Sequence, residues 1–217
     1  SAGLPMPGFH IEVLGEDGKE LGPNELGSIA VKMPLPPGAL PTLWQADERF
    51  KSAYLSRFPG YYETGDAGTI DSEGYVSVMA RTDDVINTAG HRLSTGALEE
   101  VLTEHPDIAE CAVIGVNDDL KGQIPLGFIC LNAGVNTDPT EIVAESIQSV
   151  RDKIGPVASF KTAIVVDRLP KTRSGKILRG TMLKIANGDN FSMPATIDDG
   201  AVLEEIKEAL ENIGYPK

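Results

Sequence analysis

The sequence is poor in cysteine, with two among its 217 residues, and it contains no apolar run near the roughly 20 residues that a membrane-spanning helix needs. Cys111 and Cys130 both lie in apolar runs, where a thiol packs as a small hydrophobic group. No basic-then-apolar leader opens the chain. We therefore expect a reducing, cytoplasmic setting, no membrane association, and neither a metal-binding nor a redox role for the thiols.

The sequence is also poor in basic residues, with 19 Lys and Arg against 32 Asp and Glu, which gives a net charge of −13. Most of such a surface would repel a phosphate polymer, which argues against nonspecific binding of nucleic acid. The content of hydrophobic residues, 41%, is ordinary for a globular protein. The length allows one large domain or two small ones.

The pattern of predicted secondary structure changes near residue 82. From His10 to Val78, short apolar or alternating runs between Gly, Pro and Asp turns predict antiparallel β-structure, interrupted by a helix at 47–58. Beyond Arg81, strands alternate with helices, which we expect to begin near Ser94 or Thr95, at Pro139, at Ile177 and at Val202. The sequence therefore predicts an α+β chain in two parts, a β-rich part over 1–82 and a small α+β domain over 83–217.

A first candidate site lies around Asp66, within Tyr62-Glu63-Thr64-Gly65-Asp66-Ala67-Gly68. The glycines on either side let the backbone turn tightly and leave the carboxylate at a strand end. A carboxylate in that place can accept both hydroxyls of a ribose. The alternative is an ordinary aspartate in a β-turn.

A second candidate lies between Ala80 and Leu93, where two strand-like pieces flank a turn at Gly90. Glycine there lets a ligand approach the backbone without meeting a side chain. Arg92 offers five donors suited to a phosphate, whereas the alternative is a surface hairpin with solvated charges. His91 is expected to be structural rather than a general base.

A third candidate is the basic loop Leu169-Pro170-Lys171-Thr172-Arg173-Ser174-Gly175-Lys176-Ile177. Residues 151–184 carry nine basic and two acidic side chains, a local charge of +7 that favours an anionic ligand. The loop is not a P-loop, because Pro170 and Ile177 stand where that motif needs Gly and Ser or Thr. Lys176 is therefore either a mobile point charge that reaches a neighbouring cleft or a solvated loop lysine.

In this order, the three clusters resemble the C-terminal part of the adenylate-forming superfamily, which contains acyl-CoA synthetases, nonribosomal adenylation domains and luciferases. The resemblance covers essentially the whole chain. Within the short-chain acyl-CoA synthetases, segments 32–38, 78–87 and 120–127 are similar to the propionyl-CoA synthetase branch, with the acetyl-CoA synthetase branch next. The resemblance implies an ATP-dependent, AMP-forming ligase that joins a short-chain carboxylate, propionate in this branch, to CoA, with ATP, Mg²⁺ and CoA as cofactors.

The resemblance also assigns residues for the first half-reaction. Asp66 and Arg81 resemble the pair that holds the ribose hydroxyls, and Arg92 resembles the arginine at the nucleotide phosphates. Asp83 matches the hinge about which the C-terminal domain swings. Lys176 matches the catalytic lysine of adenylate formation.

For the second half-reaction, Gly90 resembles the glycine that lines the pantetheine tunnel, and Arg151 resembles an arginine that receives the phosphorylated end of CoA. Ala89 stands where acetate-type relatives often have Ser, so the local hydrogen bond to CoA is not implied here. Residues 1–82 would be the end of a large N-terminal adenylation domain, the partner of the mobile lid. Because the phosphate-gripping loop and the acyl pocket would lie upstream, the 217-residue chain alone is expected to be inactive.

Three alternatives accompany this interpretation. In the first, the enzyme acts on acetate instead of propionate. The chain is alternatively a binding or regulatory module, because Lys176 resembles a site at which relatives are switched off by lysine acylation, with an acetyltransferase and a deacetylase as partners. In the third alternative, the acyl acceptor is the pantetheine of a carrier protein. Arg151 argues against this acceptor, because a carrier arm lacks the nucleotide end of CoA that a cation would bind.

Overall fold

The computed structural model describes residues 1–82 and 84–216. The chain divides into two compact units, Ser1–Asp83 and Asp84–Lys217. The sequence predicted that the first part would end at residue 82. The assignment of this first part to a larger N-terminal domain stays a prediction.

The first unit is an antiparallel sheet with one helix. Its strands pair in chain order, and its elements are β1 (Ile11–Leu14), β2 (Gly27–Lys32), α1 (Asp47–Tyr54), β3 (Tyr61–Ile70) and β4 (Val76–Arg81). Helix α1 ends four residues before the predicted Phe58, because the phenyl ring of Phe58 is buried against Leu14 and Ala30. The following Pro59 cannot donate a backbone hydrogen bond to a continuing helix.

The second unit is a mixed sheet covered by helices on both faces. Its elements are β5 (Val85–Thr88), β6 (His91–Ser94), α2 (Thr95–Thr103), β7 (Ile108–Asp118), β8 (Gly122–Leu131), α3 (Pro139–Lys153), β9 (Thr162–Val165), α4 (Arg179–Asn187) and α5 (Ala201–Asn212). The strand order is β6-β5-β8-β7, and β9 pairs with β8 in parallel while the other pairings are antiparallel. The predicted α+β class is confirmed.

Alternating residues of β7 and β8 fill two separate cores, because successive side chains of a strand point to opposite faces. Ile114 and Phe128 belong to the core that α4 and α5 cover. Val113 and Ile129 belong to the core that α2 and α3 cover. This long hairpin is therefore buried on both sides, which explains why its sequence is a nearly continuous apolar run.

Helices α2 and α3 begin where the sequence predicted, each after a residue whose side chain caps it. Ser94 accepts a hydrogen bond from the backbone N–H of Ala97 (3.4 Å), and Asp138 accepts one from Thr140 (2.8 Å). Helix α4, in contrast, begins at Arg179, two residues later than predicted. Ile177 forms a backbone bridge with Lys171 instead, so the residues before Arg179 close a turn rather than a helix. Among the described residues, no helix is both long and apolar enough to span a bilayer.

Phe128→Ala should lower the free energy of unfolding by about 3–5 kcal/mol, because it leaves a cavity at a fully buried ring of the central hairpin (0% exposed). Leu120→Ala is the control, since that side chain is 94% exposed, and a change within about 0.5 kcal/mol is expected. Urea unfolding followed by circular dichroism measures both variants. Equal destabilisation by the two substitutions would contradict this two-sided core.

Candidate active site

In the first unit, a bulge in β3 places Asp66 beside Arg81. Ile29 of β2 faces Asp66 and the next residue, Ala30, faces Glu63, so Thr64 and Gly65 are extra residues. The Thr64 hydroxyl organises the bulge by donating to the carbonyl of Ile29 (2.7 Å) and accepting from the N–H of Asp66 (3.2 Å). The register of β3 and β4 then brings the Cα atoms of Asp66 and Arg81 opposite each other.

The contact between the two side chains is long and solvent-accessible. Arg81 Nη1 lies 3.5 Å from Asp66 Oδ1 and 3.4 Å from the carbonyl of Thr64, and the two side chains are 51% and 35% exposed, respectively. The guanidinium also covers Gly65, where a Cβ would lie 2.6 Å from Arg81 Nη2 and where φ is +77°. An exposed pair of this geometry contributes little to stability. Both groups are therefore accessible to a ligand such as a ribose diol.

In the second unit, Ala89 and Gly90 form the two-residue turn of the β5–β6 hairpin. Their φ angles are +49° and +85°, as a type I′ turn requires, and the N–H of Ala89 donates to the carbonyl of Lys121 (2.8 Å). A Cβ on Gly90 would meet no heavy atom within 4 Å, so the turn backbone is open on that side. Arg92 is half-buried on β6, opposite Asn87. The predicted hairpin is present, and its tip is accessible to a narrow ligand.

Lys176 lies in a tight turn between β9 and α4 whose backbone is held across its base. The N–H of Thr172 donates to the carbonyl of Lys176 (2.8 Å), and the N–H of Gly175 donates to the carbonyl of Thr172 (2.8 Å). Gly175 has a φ of +84°, a value that suits glycine. The backbone of the turn is therefore hydrogen-bonded internally, and the lysine side chain extends from it. The Lys176 side chain is exposed, and its ammonium group makes no hydrogen bond or ion pair with residues in 1–82 or 84–216.

The basic character of residues 151–184 is largely neutralised in three dimensions. Four of the nine cations pair with acids from other segments, as Lys153–Glu104, Arg168–Asp199 and Glu205, Lys171–Glu110, and Arg179–Glu99. The local charge of +7 therefore overstates the positive potential. Arg173 and Lys176, both in the turn, and Arg151, exposed in the last turn of α3, have no ion pair with the described residues.

Sequence reasoning missed the partner of Arg179. Its Nε and Nη2 donate to the two carboxylate oxygens of Glu99 (2.9 and 2.8 Å), and Glu99 Oε1 also accepts from the N–H of Val113 (2.8 Å). Burial on its own lowers the pKa of Arg179, but the hydrogen bonds and charge of Glu99 outweigh it and leave the pKa raised. A positive charge in the first turn of a helix is unfavourable because it opposes the helix dipole. The position of Arg179 at the start of α4 is therefore the sequence signal that could have indicated an acidic partner.

The predicted site residues thus fall in both units. Asp66 and Arg81 lie together in the first unit, and Lys176, Gly90, Ala89, Arg92 and Arg151 lie in the second. Within the second sheet, the Ala89–Gly90 turn belongs to the β5–β6 edge, whereas Lys171, at the base of the Lys176 turn, pairs with Glu110 on β7 at the opposite edge. The side chain of Asp83, the predicted hinge, lies outside the described residues.

Comparison with known proteins is consistent with these features. Residues 97–176 match the C-terminal domain of AMP-binding enzymes. The chain is 48% identical over 206 residues to acyl-CoA synthetase short-chain family member B of Dictyostelium discoideum, covering 95% of this chain and 30% of that protein. It is 47% identical over 210 residues to mouse acyl-CoA synthetase short-chain family member 3 (97% and 31%) and 41% identical over 211 residues to the acetyl-coenzyme A synthetase of Pyrobaculum arsenaticum (97% and 31%).

Solved structures agree on the fold. The acetoacetyl-CoA synthetase of Streptomyces lividans superposes with a TM-score of 0.79 at 23% identity, covering 97% of this chain and 32% of that chain. The o-succinylbenzoate CoA synthetase of Bacillus subtilis, solved with its acyl-adenylate, gives 0.63 at 27% identity (81% and 34%). The chain carries the C-terminal domain of AMP-binding enzymes and is related to the short-chain acyl-CoA synthetases. It spans about a third of the length of the curated relatives that it matches.

The two cysteines are free and buried, on opposite faces of the sheet. Burial raises the pKa of the Cys111 thiol to about 12 and that of Cys130 to about 11. At pH 8 almost no thiolate is present, so an aromatic disulfide reagent should label neither thiol in the folded protein and both after unfolding in guanidinium. Absorbance of the released thiolate measures this reaction. Rapid labelling of the folded protein at pH 8, lost in Cys111→Ser or Cys130→Ser, would contradict the assignment of that cysteine to the core.

Proposed function

We propose that the chain is the C-terminal part of an ATP-dependent, AMP-forming acyl-CoA synthetase that activates a short-chain carboxylate, with propionate as its substrate. The observation that carries this proposal is the Lys176 turn, which presents an exposed ammonium group on a hydrogen-bonded base directly before α4. That lysine is the last residue of the segment that matches the C-terminal domain of AMP-binding enzymes. Homology to short-chain acyl-CoA synthetases supports the reaction type.

In the first half-reaction, a carboxylate oxygen attacks the α-phosphorus of ATP, and pyrophosphate leaves with the bonding electron pair. The entering carboxylate brings negative charge to the centre, and negative charge builds up on the departing oxygen. A preorganised ammonium near these oxygens would lower the barrier, and we assign that role to Lys176. Asp66 would accept the ribose hydroxyls, with Arg81 beside it, and Arg92 would contact the nucleotide phosphates.

In the second half-reaction, the thiol of CoA loses its proton, and its sulfur attacks the acyl carbonyl and displaces AMP. The open backbone at Gly90, which no neighbouring atom covers, suits the approach of a narrow pantetheine chain. Ala89 lies beside it in the turn, and exposed Arg151 would meet the phosphorylated end of CoA. A cation that recognises this end favours free CoA over a carrier-protein arm as the acceptor.

Mg²⁺ would accompany ATP and neutralise its phosphates. The parts of the chain that the structure describes contain no cluster of three or more His, Cys, Asp or Glu side chains that could hold a metal. We therefore assign no residue of this chain to the ion. The remaining contacts to ATP and to the carboxylate would come from the N-terminal domain of the whole protein.

A regulatory role of the same residue is a second proposal, favoured by the exposure of Lys176 and by the absence of an ion pair among the described residues. Acylation of its amine by a lysine acetyltransferase would remove the positive charge that adenylate formation needs, and a deacetylase would restore it. This role depends on the catalytic one. It would be seen as an acyl-lysine at this position in native material by mass spectrometry.

Lys176→Ala in the full-length protein should lower adenylate formation, measured as carboxylate-dependent ATP–pyrophosphate exchange, by about a hundredfold or more. Thioester formation from supplied acyl-adenylate should change little, because the lysine serves only the first step. Lys161→Ala is the matched control, since that lysine is also exposed but lies directly before β9, away from the Lys176 turn in sequence. Unchanged adenylation in Lys176→Ala would refute the catalytic assignment.

The preference for propionate is tested by competition. When the full-length enzyme receives equal concentrations of acetate, propionate and butyrate, propionyl-CoA should exceed each of the others by about tenfold, the scale of discrimination for one methylene group. Mass spectrometry of the thioesters measures the ratio. A predominance of acetyl-CoA would instead support the acetate-directed alternative. The 41% identity to an acetyl-coenzyme A synthetase is the observation that favours this alternative.

A further inference from the structure

Thr172 makes the contacts that close the Lys176 turn. Its N–H donates to the carbonyl of Lys176 (2.8 Å), and its side-chain Oγ1 accepts from the N–H of Lys176 (3.1 Å). The two residues therefore exchange hydrogen bonds in both directions, and one of these bonds uses a side-chain atom. The same Oγ1 lies 3.0 Å from the hydroxyl of Ser174.

The other side of Thr172 is fixed by a segment that precedes α5. Thr172 forms a backbone bridge with Ile197, and the N–H of Arg173 donates to the carbonyl of Thr196 (3.0 Å). The N–H of Asp198 donates to the carbonyl of Lys171 (2.9 Å). Ile197 packs against the core under α4 and α5, as does Ile177 at the end of the turn. Thr172 thus connects the lysine on one side to a segment anchored in the core on the other.

We infer that Thr172 is the positioning residue for Lys176, fixing the backbone from which the ammonium group reaches the reacting phosphate. This inference rests on the proposed function, because it assumes that the amine serves adenylate formation. A lysine side chain has several rotatable bonds, so a backbone free to move as well would spread its charge over a larger volume. With the peptide groups of Lys176 fixed on both sides, only side-chain rotations remain to be ordered.

The test is a pair of substitutions in the full-length protein. Thr172→Val keeps the shape of the side chain but removes the acceptor for the N–H of Lys176, whereas Thr172→Ser keeps the hydroxyl. Loss of one such hydrogen bond should lower kcat for ATP–pyrophosphate exchange by about tenfold in Thr172→Val, with KM for ATP within about twofold. Thr172→Ser should recover most of the rate.

The half-reactions separate positioning from folding. Thioester formation from supplied acyl-adenylate, measured on the same preparation, should stay within about twofold in Thr172→Val, because a partly unfolded preparation would lose both activities together. Ser174→Ala is the control, since it removes the other hydroxyl near Thr172 Oγ1 without touching the Lys176 backbone. It should leave adenylation within about twofold of the parent.

The outcomes distinguish this inference from the proposed function. If Lys176→Ala abolishes adenylation while Thr172→Val retains the parental rate, the positioning role is refuted and the proposed function stands. A loss in both half-reactions by Thr172→Val, or a failure of Thr172→Ser to recover the rate, also refutes it. If Lys176→Ala itself leaves adenylation intact, the proposed catalytic role fails first, and the inference fails with it.

Discussion

Burial of the β7–β8 hairpin on both faces is the constraint on which the second unit depends. Its side chains alternate between the core under α4 and α5 and the core under α2 and α3, so a shift of register by one residue would exchange the two faces. Because helices cover both faces, the exposed groups of the sheet lie at its ends and edges. The Ala89–Gly90 turn and the Lys176 turn occupy such positions. A sheet buried on both faces thus carries the exposed backbone and the exposed charge on which the proposed function rests.

Local signals predicted much of the fold. The strands β1 to β4 lie within the part that was predicted to be β-rich, and α3 begins at the predicted Pro139, because strand alternation and capping depend on residues a few positions apart. The predicted start of α4 at Ile177 was wrong because Ile177 forms an antiparallel backbone bridge with Lys171. The Arg179–Glu99 ion pair was equally invisible, since its partners are 80 residues apart in sequence. Local propensity does not reveal which distant segment will meet a given residue.

Charge shows the same division between sequence and structure. Residues 151–184 have an excess of basic side chains, yet acids from α2, β7 and the region of α5 neutralise several of them. Pairs such as Arg179–Glu99 then hold elements together and cannot attract a ligand strongly. Among the cations that form no ion pair with the described residues, Arg173 and Lys176 lie together at the tip of a turn whose backbone is hydrogen-bonded. Candidate site residues could be named from local patterns together with the family resemblance, but separating unpaired from paired cations required the structure.

The placement of the two turns bears on how one small domain would serve two reactions. Adjacent strands of a sheet lie about 5 Å apart, so the order β6-β5-β8-β7 separates the base of the Gly90 turn from the β7 edge that contacts the Lys176 turn by roughly 10 to 15 Å. The two turns therefore lie apart on one sheet. If, as proposed, Lys176 serves the phosphorus centre and Gly90 serves the thiol, each step would use a different edge of the sheet. A reorientation of the unit between the steps would then bring each edge to the reacting centre in its own step.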